Sequence, residues 1–342
     1  MTSSVAGLLD LVLELPALQQ RQIGCLLGAV VGDAAARPLH WLYDLGQLQK
    51  AVASDPTKPE FWHKSHSPFY TLETGESSCY GDVARASLSS LAACRATLDT
   101  EHLAATFRQQ FGPGSRYDTA ARQEFMQLRA AGRPPGPLQG KWLHGAMLHF
   151  LQTGAGGPHI KETDGFCASL PVIVCGAGQP EMRERVERVA AMQSRWRVAL
   201  RHAMAAAAIL EPLLLGKTEP WAVAKAELAA TWPEIAAELE VVEELGPDHT
   251  AAVTRLGRPC YNPGSFLGAL HAVLNSDGFE SAVRQTILAG GCNCSRAFLA
   301  GAVLGARDGV AGIPRDWVLR TREAETVIRL AMAITSVKQP KQ

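Results

Sequence analysis

The sequence predicts an all-α fold, and three observations carry that expectation. Alanine-rich, helix-forming stretches dominate. Alternating β-branched residues are scarce. Helix-starting residues recur along the whole chain. With 342 residues, 47% of them hydrophobic and 19% charged, the chain is long enough to bury a large core. No segment has the length or monotony of an interdomain linker, and no fixed period repeats. A single compact multi-helix domain over 1–342 is therefore expected, with a short N-terminal helix at 5–20 and a core from about 20 to 335.

The elements follow in order. Leu8 to Leu15 is apolar but interrupted by Asp10 and Glu14, with no basic segment before it. It reads as an amphipathic helix rather than a signal peptide. Further helices are expected to begin near Arg21, Gly81, Glu101 and Asp118, the last following the break Gly112-Pro113-Gly114. Others begin near Trp142, Pro220, Glu234, Ser265, Glu280, Ser295 and Glu323. Met182 to Leu214 reads as one long helix or two abutting ones. Val172-Ile173-Val174 fits either a strand or a buried helical turn. Loops fall at 54–75, 132–140 and 153–165.

Bulk properties narrow the partners. The 33 basic and 33 acidic residues give a net charge of zero, so no nucleic-acid footprint is expected. No run of eighteen apolar residues exists, so no membrane span is expected either. Eight cysteines without a secretory signal imply reduced thiols and a cytoplasmic location.

Chemistry concentrates in two glycine-led segments at helix mouths. The first is Ser77-Ser78-Cys79-Tyr80-Gly81-Asp82-Val83. Asp82 reads as a first-turn capping residue or as a carboxylate aimed into a cleft. The second is Gly290-Gly291-Cys292-Asn293-Cys294-Ser295-Arg296, where Asn293 or Ser295 can cap the helix that follows. Cys292 and Cys294 are either small buried hydrophobes or thiols activated by the helix terminus. Gly301 and Gly305, four apart, permit close helix contact. His40, the pair His63 and His66, and His144 stand isolated and read as surface or core residues.

These segments, with the early run Gly24 to Ala34 ending in Gly32-Asp33-Ala34, resemble the ADP-ribosylglycohydrolase family. The family usually carries Thr-Asp-Asp-Thr at the first segment and Gly-Gly-Asp-x-Asp-Thr at the second. By position Asp82 keeps an aspartate, Tyr80 and Gly81 replace a threonine and an aspartate, Cys292 and Cys294 replace two aspartates, and Ser295 replaces a threonine. The resemblance is closest to a divergent branch containing the jellyfish J-crystallins and selenoprotein J. It implies that the two segments meet beside a ribose, where the family's carboxylates hold paired Mg²⁺.

One carboxylate and two thiols suit Mg²⁺ poorly and Zn²⁺ better, so no cofactor is expected, with Zn²⁺ the alternative. Asp164-Gly165-Phe166-Cys167-Ala168-Ser169-Leu170-Pro171 stands where the family has a phosphate-cradling loop, without its arginine. Gln193-Ser194-Arg195 stands where a Thr-His pair is expected. Asp33 reads as a residue that holds a turn.

The resemblance implies an ADP-ribose-like ligand contacted by Tyr80, Gly81, Gly165, Phe166, Gly291, Asn293 and Ser295. Tyr261 is placed to stack on an adenine or to sit in the turn before the next helix. Three functions stand open. The first is hydrolysis of a glycosidic bond in a remodelled cleft, with Asp82 and Cys292 catalytic. The second is a redox or soft-metal site built from Cys79, Cys292, Cys294 and Asp82. The third is a non-enzymatic, crystallin-like role.

Overall fold

Two glycine-bearing helices form the spine of the molecule. A computed structural model describes residues 4–133 and 135–337. Helices α1 (Val5–Leu13), α2 (Ala17–Ala36), α3 (Leu45–Ala51), α4 (Cys79–Ala93), α5 (Thr100–Phe111) and α6 (Thr119–Ala130) come first. Then follow α7 (Gly145–Thr153), α8 (Asp164–Gly176), α9 (Met182–Gln193), α10 (Arg197–Leu214), α11 (Pro220–Thr231) and α12 (Pro233–Glu244). The chain ends with α13 (His249–Leu256), α14 (Gly264–Leu274), α15 (Phe279–Leu288), α16 (Asn293–Asp308), α17 (Arg315–Arg320) and α18 (Ala324–Thr335). Among the described residues the only sheet pairs β1 (Tyr70–Thr71) in parallel with β2 (Leu138–Gln139). The all-α expectation is met.

Every residue of α2 from Gln22 to Ala36 is buried, as is every residue of α16 from Asn293 to Ala306. A helix buried all round has to exclude water through small residues. Gly24 faces Gly305, Gly28 faces Gly301, and Gly32 faces Ala297, so the helices run antiparallel. A Cβ at Gly28 or Gly301 would collide with the opposite carbonyl oxygen. The four-residue spacing read in the sequence therefore marks a backbone-to-backbone seam. The antiparallel arrangement brings the end of α2 beside the start of α16, with the start of α4 joining them.

Several boundaries differ from expectation. The N-terminal helix ends at Leu13 rather than at 20, because Pro16 separates it from α2. Met182 to Leu214 is two helices, broken at Ser194 in extended conformation. Val172-Ile173-Val174 lies inside α8, buried, with Pro171 within the helix. The loop expected over 153–165 therefore ends at Thr163. No start was expected for α3, α8, α13 or α17. Asp44 signals α3 by accepting from Gly46 and Gln47 N–H groups, and Asp248 signals α13 by accepting from Ala251 N–H.

Candidate functional site

Asp82 sits in the first turn of α4, but its side chain does not cap the helix. Ser78 is the N-cap and accepts from Tyr80 N–H. The Asp82 carboxylate instead meets the Lys141 ammonium at 3.0 Å and Arg85 at 3.1 Å. Tyr117 donates its hydroxyl to the same carboxylate at 2.6 Å. Burial works against the charged form, yet Lys141 and Arg85 outweigh it and hold Asp82 below the usual carboxylate range. Lys141 also donates to Ser77 O at 2.7 Å and lies 3.7 Å from Glu76. Its side chain is 3% exposed.

Asp33, at the end of α2, holds a turn. It accepts from Ser78 N–H at 2.8 Å, Ser78 Oγ–H at 2.6 Å and Gly81 N–H at 3.2 Å. Full burial, with no cation hydrogen-bonded to it, pushes this carboxyl up to about 6. A Cβ at Gly81 would press on Asp33 Oδ2, so Gly81 serves this contact.

The second helix mouth is built on sulfur. Cys292 is fully buried and is the N-cap residue of α16. His40 Nε2 and the Tyr80 hydroxyl each lie 3.3 Å from its Sγ. His40 Nδ1 is held in turn by Tyr70 OH at 2.8 Å. Burial opposes a thiolate at Cys292, but the hydrogen bond from the Cys260 thiol and the His40 ring outweigh it and lower it well below the ordinary thiol value.

Neither Asn293 nor Ser295 caps this helix as expected. Asn293 Nδ2 donates to Leu39 O at 3.1 Å and Ser295 Oγ donates to Cys292 O at 2.9 Å. Both serve the helix mouth rather than a cavity. Gly291, at φ +65°, donates to Leu42 O. The buried Arg296 guanidinium donates to the carbonyls of Arg258 and Gly290, and burial lowers it to about 10.

The expected set of Asp82, Cys79, Cys292 and Cys294 does not assemble as one ligand cluster. Cys294 turns to Asp33 O at 3.7 Å. Cys79 instead groups with His144 and Asp164, ligand atoms of all three lying within 4.8 Å of one another. None of the eight cysteines, all among the described residues, is in a disulfide.

A pocket of about 190 Å³ opens over the thiol side, with Trp41, Tyr43, Phe69, Tyr80 and Trp142 as its aromatic lining. Arg122, His144, Glu162 and Cys260 supply its polar lining. The Trp41 ring lies 5.0 Å from Phe69 and 5.8 Å from Trp142, edge to face. Arg122 is fixed by its Nε donating to Leu143 O at 2.7 Å, with its guanidinium 5.2 Å over Trp142. Burial raises Glu162. Burial opposes charge on His144, but Asp164, 2.8 Å from Nδ1, holds it above its usual value.

Of the residues expected to contact a ligand, Tyr80 lines this pocket. Tyr261 is 48% exposed beside Cys260 and is not part of the lining. Gly165 and Phe166 are buried in α8, with Phe166 packed edge-on against Phe298. Phe166 and Cys167 N–H groups already donate to Thr163 O, so this turn is no open phosphate cradle. His63 and His66 stay apart from the site, one exposed and one half-buried.

From sequence, His40 and His144 read as isolated surface or core residues, and Lys141, Trp41 and Arg122 had no role. His40-Trp41 and Trp142-Leu143-His144 are the only places where a histidine lies within two residues of a tryptophan, apart from Trp62-His63. That aromatic–imidazole pairing was the available signal.

A family model described as ADP-ribosylglycohydrolase matches residues 14–342. The chain belongs to the ADP-ribosylglycohydrolase family. It is 28% identical over 327 residues to crystallin J1A of Tripedalia cystophora, covering 93% of this chain and 97% of that protein. It is 26% identical over 325 residues to crystallin J1B of the same animal, with the same coverage. A solved structure titled as an ADP-ribosylglycohydrolase-related protein complex shares the fold, with TM-score 0.66 and 20% identity over 95% of this chain and all of that one.

The paired Mg²⁺ ions implied by the family do not fit these residues. Mg²⁺ asks for hard oxygen ligands in an octahedron. Asp82 is committed to two cations and a phenol, and Asp33 to three donors. Sulfur occupies the two positions that match the family's second pair of aspartates.

Proposed function

We propose that this family member binds an ADP-ribose-like nucleotide sugar in the aromatic pocket without the paired Mg²⁺ ions. The lining carries this reading: aromatic faces suited to a flat base beside one fixed guanidinium suited to phosphate. Chemistry on a glycosidic bond there falls to Glu162, the carboxyl group of the pocket lining, rather than to Asp82. Asp82 faces a different cleft, shared with Arg85, Tyr117 and Lys141. The test is calorimetric titration with ADP-ribose, with and without Mg²⁺. Saturable binding, indifferent to Mg²⁺ and weakened about tenfold by Trp41→Ala, is expected, as for loss of one stacking face. No saturable heat, or binding that requires Mg²⁺, overturns the reading.

A second reading is thiol chemistry at Cys292, favoured by the His40–Cys292 contact of 3.3 Å and by His40 being oriented through Tyr70. Thiolate ultraviolet absorbance at pH 6, lost in Cys292→Ser and in His40→Ala, is the expected signature. Absence of that absorbance in the wild-type protein removes this reading. The crystallin relatives support a third, non-enzymatic role, which failure of both tests would leave standing.

A further inference from the structure

Three helix beginnings converge behind the aromatic pocket. Cys79 is the first residue of α4, His144 is the N-cap of α7, and Asp164 is the first residue of α8. Their exposures are 3%, 5% and 0%. A thiol, an imidazole and a carboxylate all present ligand atoms within 4.8 Å of one another. One carboxylate oxygen, Asp164 Oδ1, takes His144 Nδ1 at 2.8 Å. The other, Asp164 Oδ2, is buried and has no hydrogen-bond partner. A buried carboxylate oxygen left unpaired is costly unless something positive sits beside it. His144 supplies a partner to one oxygen only.

We propose that Cys79, His144 and Asp164 form a single-metal site for a soft divalent cation, with Zn²⁺ the fitting ion. Sulfur, nitrogen and oxygen donors in a group of three are the donor set of an open tetrahedral zinc site, whose fourth position takes water or a ligand. Binding displaces the Cys79 thiol proton and the proton shared between His144 and Asp164, so protons leave as the ion enters. Burial and the nearby Asp164 and Asp82 carboxylates push the Cys79 thiol up, so the thiolate forms as the ion enters. His144 lines the aromatic pocket, which gives the ion its route in from solvent. Asp82, Lys141 and the family's Mg²⁺ positions take no part. The proposal does not depend on nucleotide binding.

The experiment uses the full chain stripped with chelator and titrated with Co²⁺ as an optical probe, then with Zn²⁺. Expected are tetrahedral Co²⁺ bands at one equivalent, a thiolate-to-cobalt charge-transfer band in the near ultraviolet, and bleaching of both by one equivalent of Zn²⁺. Cys79→Ser should abolish the charge-transfer band, and His144→Ala should weaken Co²⁺ binding roughly 100-fold. Cys292→Ser should leave both signals intact. Should Cys79→Ser fail to fold, the wild-type titration decides: no stoichiometric Co²⁺ or Zn²⁺ uptake overturns the proposal. A charge-transfer band that survives in folded Cys79→Ser, or is lost in Cys292→Ser, overturns it as well.

Discussion

Asp33 and Asp82 are two buried carboxylates at the same helix mouth, and they are stabilised in opposite ways. Asp33 is 0% exposed and takes only neutral donors, so burial raises it to about 6. Asp82 is 3% exposed and paired with Lys141 and Arg85, so it is lowered despite burial. Burial alone disfavours a carboxylate, and only a nearby cation reverses that. Here that cation is an ammonium supplied by the chain itself, Lys141.

The largest effect expected is from removing that ammonium. Lys141→Met leaves Asp82 with Arg85 as its one paired cation beside the Tyr117 hydroxyl, and removes the donor to Ser77 O. Breaking a buried pair by deleting one partner costs about 3–5 kcal/mol. Urea unfolding at pH 7 checks it, and a loss below about 1 kcal/mol would mean that Lys141 is not the compensating charge. Adding Asp82→Leu to Lys141→Met should recover part of the loss, since it removes the stranded charge.

Next comes the pH dependence at Asp33. Its folded value, about 6, stands above the ordinary 3.8 of the unfolded chain. The folded state then binds the proton more tightly, so stability is fully present below about pH 4 and is lost as pH rises towards 6. The whole change is about 3 kcal/mol, from 1.36 kcal/mol per pH interval of one. The stability difference between wild type and Asp33→Asn should drift by this amount across pH 4 to 6. A flat difference would place Asp33 among ordinary carboxylates.

Asp82 gives the opposite sign. Its folded value lies below 3.8, so its contribution is present above about pH 4 and lost as pH falls through the folded value. Acid unfolding of Asp82→Asn should therefore be shallower below pH 4 than that of wild type. Equal acid slopes would show that Lys141 and Arg85 do not bias this carboxylate.

How much of this was legible from the sequence divides along the range of the contacts involved. The α2–α16 seam was legible in part because Gly301 and Gly305 repeat within one helix. Asp118 was legible because a cap is a local device, accepting from Ala121 three residues on. His40 was read as isolated because its partner Cys292 lies 252 residues away. His144 was read so because Asp164 lies on another helix, whose first residues fell inside the loop expected over 153–165. Cys79, Cys292 and Cys294 were expected to converge because the family resemblance implies that the two segments meet. Side-chain direction around each helix mouth then sends each thiol to a different partner, and period and spacing do not encode that.

The smallest expected effect isolates the hydrogen bonds from the charge. Ser78 donates both its N–H and its hydroxyl to Asp33, and it also caps α4 through Tyr80 N–H. Ser78→Ala keeps the backbone donor and removes the hydroxyl. Loss of the cap costs about 1 kcal/mol at any pH. The lost hydroxyl bond has a separate consequence, because that bond favours the ionised form of Asp33. Without it Asp33 should titrate higher, and the upper end of the pH window in which stability falls should move upward while its sign stays the same. Unfolding free energies measured from pH 4 to 8 separate the two effects, a uniform offset from a moved window. An offset with no movement would mean that Ser78 acts on α4 alone, and that the backbone N–H groups of Ser78 and Gly81 set the Asp33 titration.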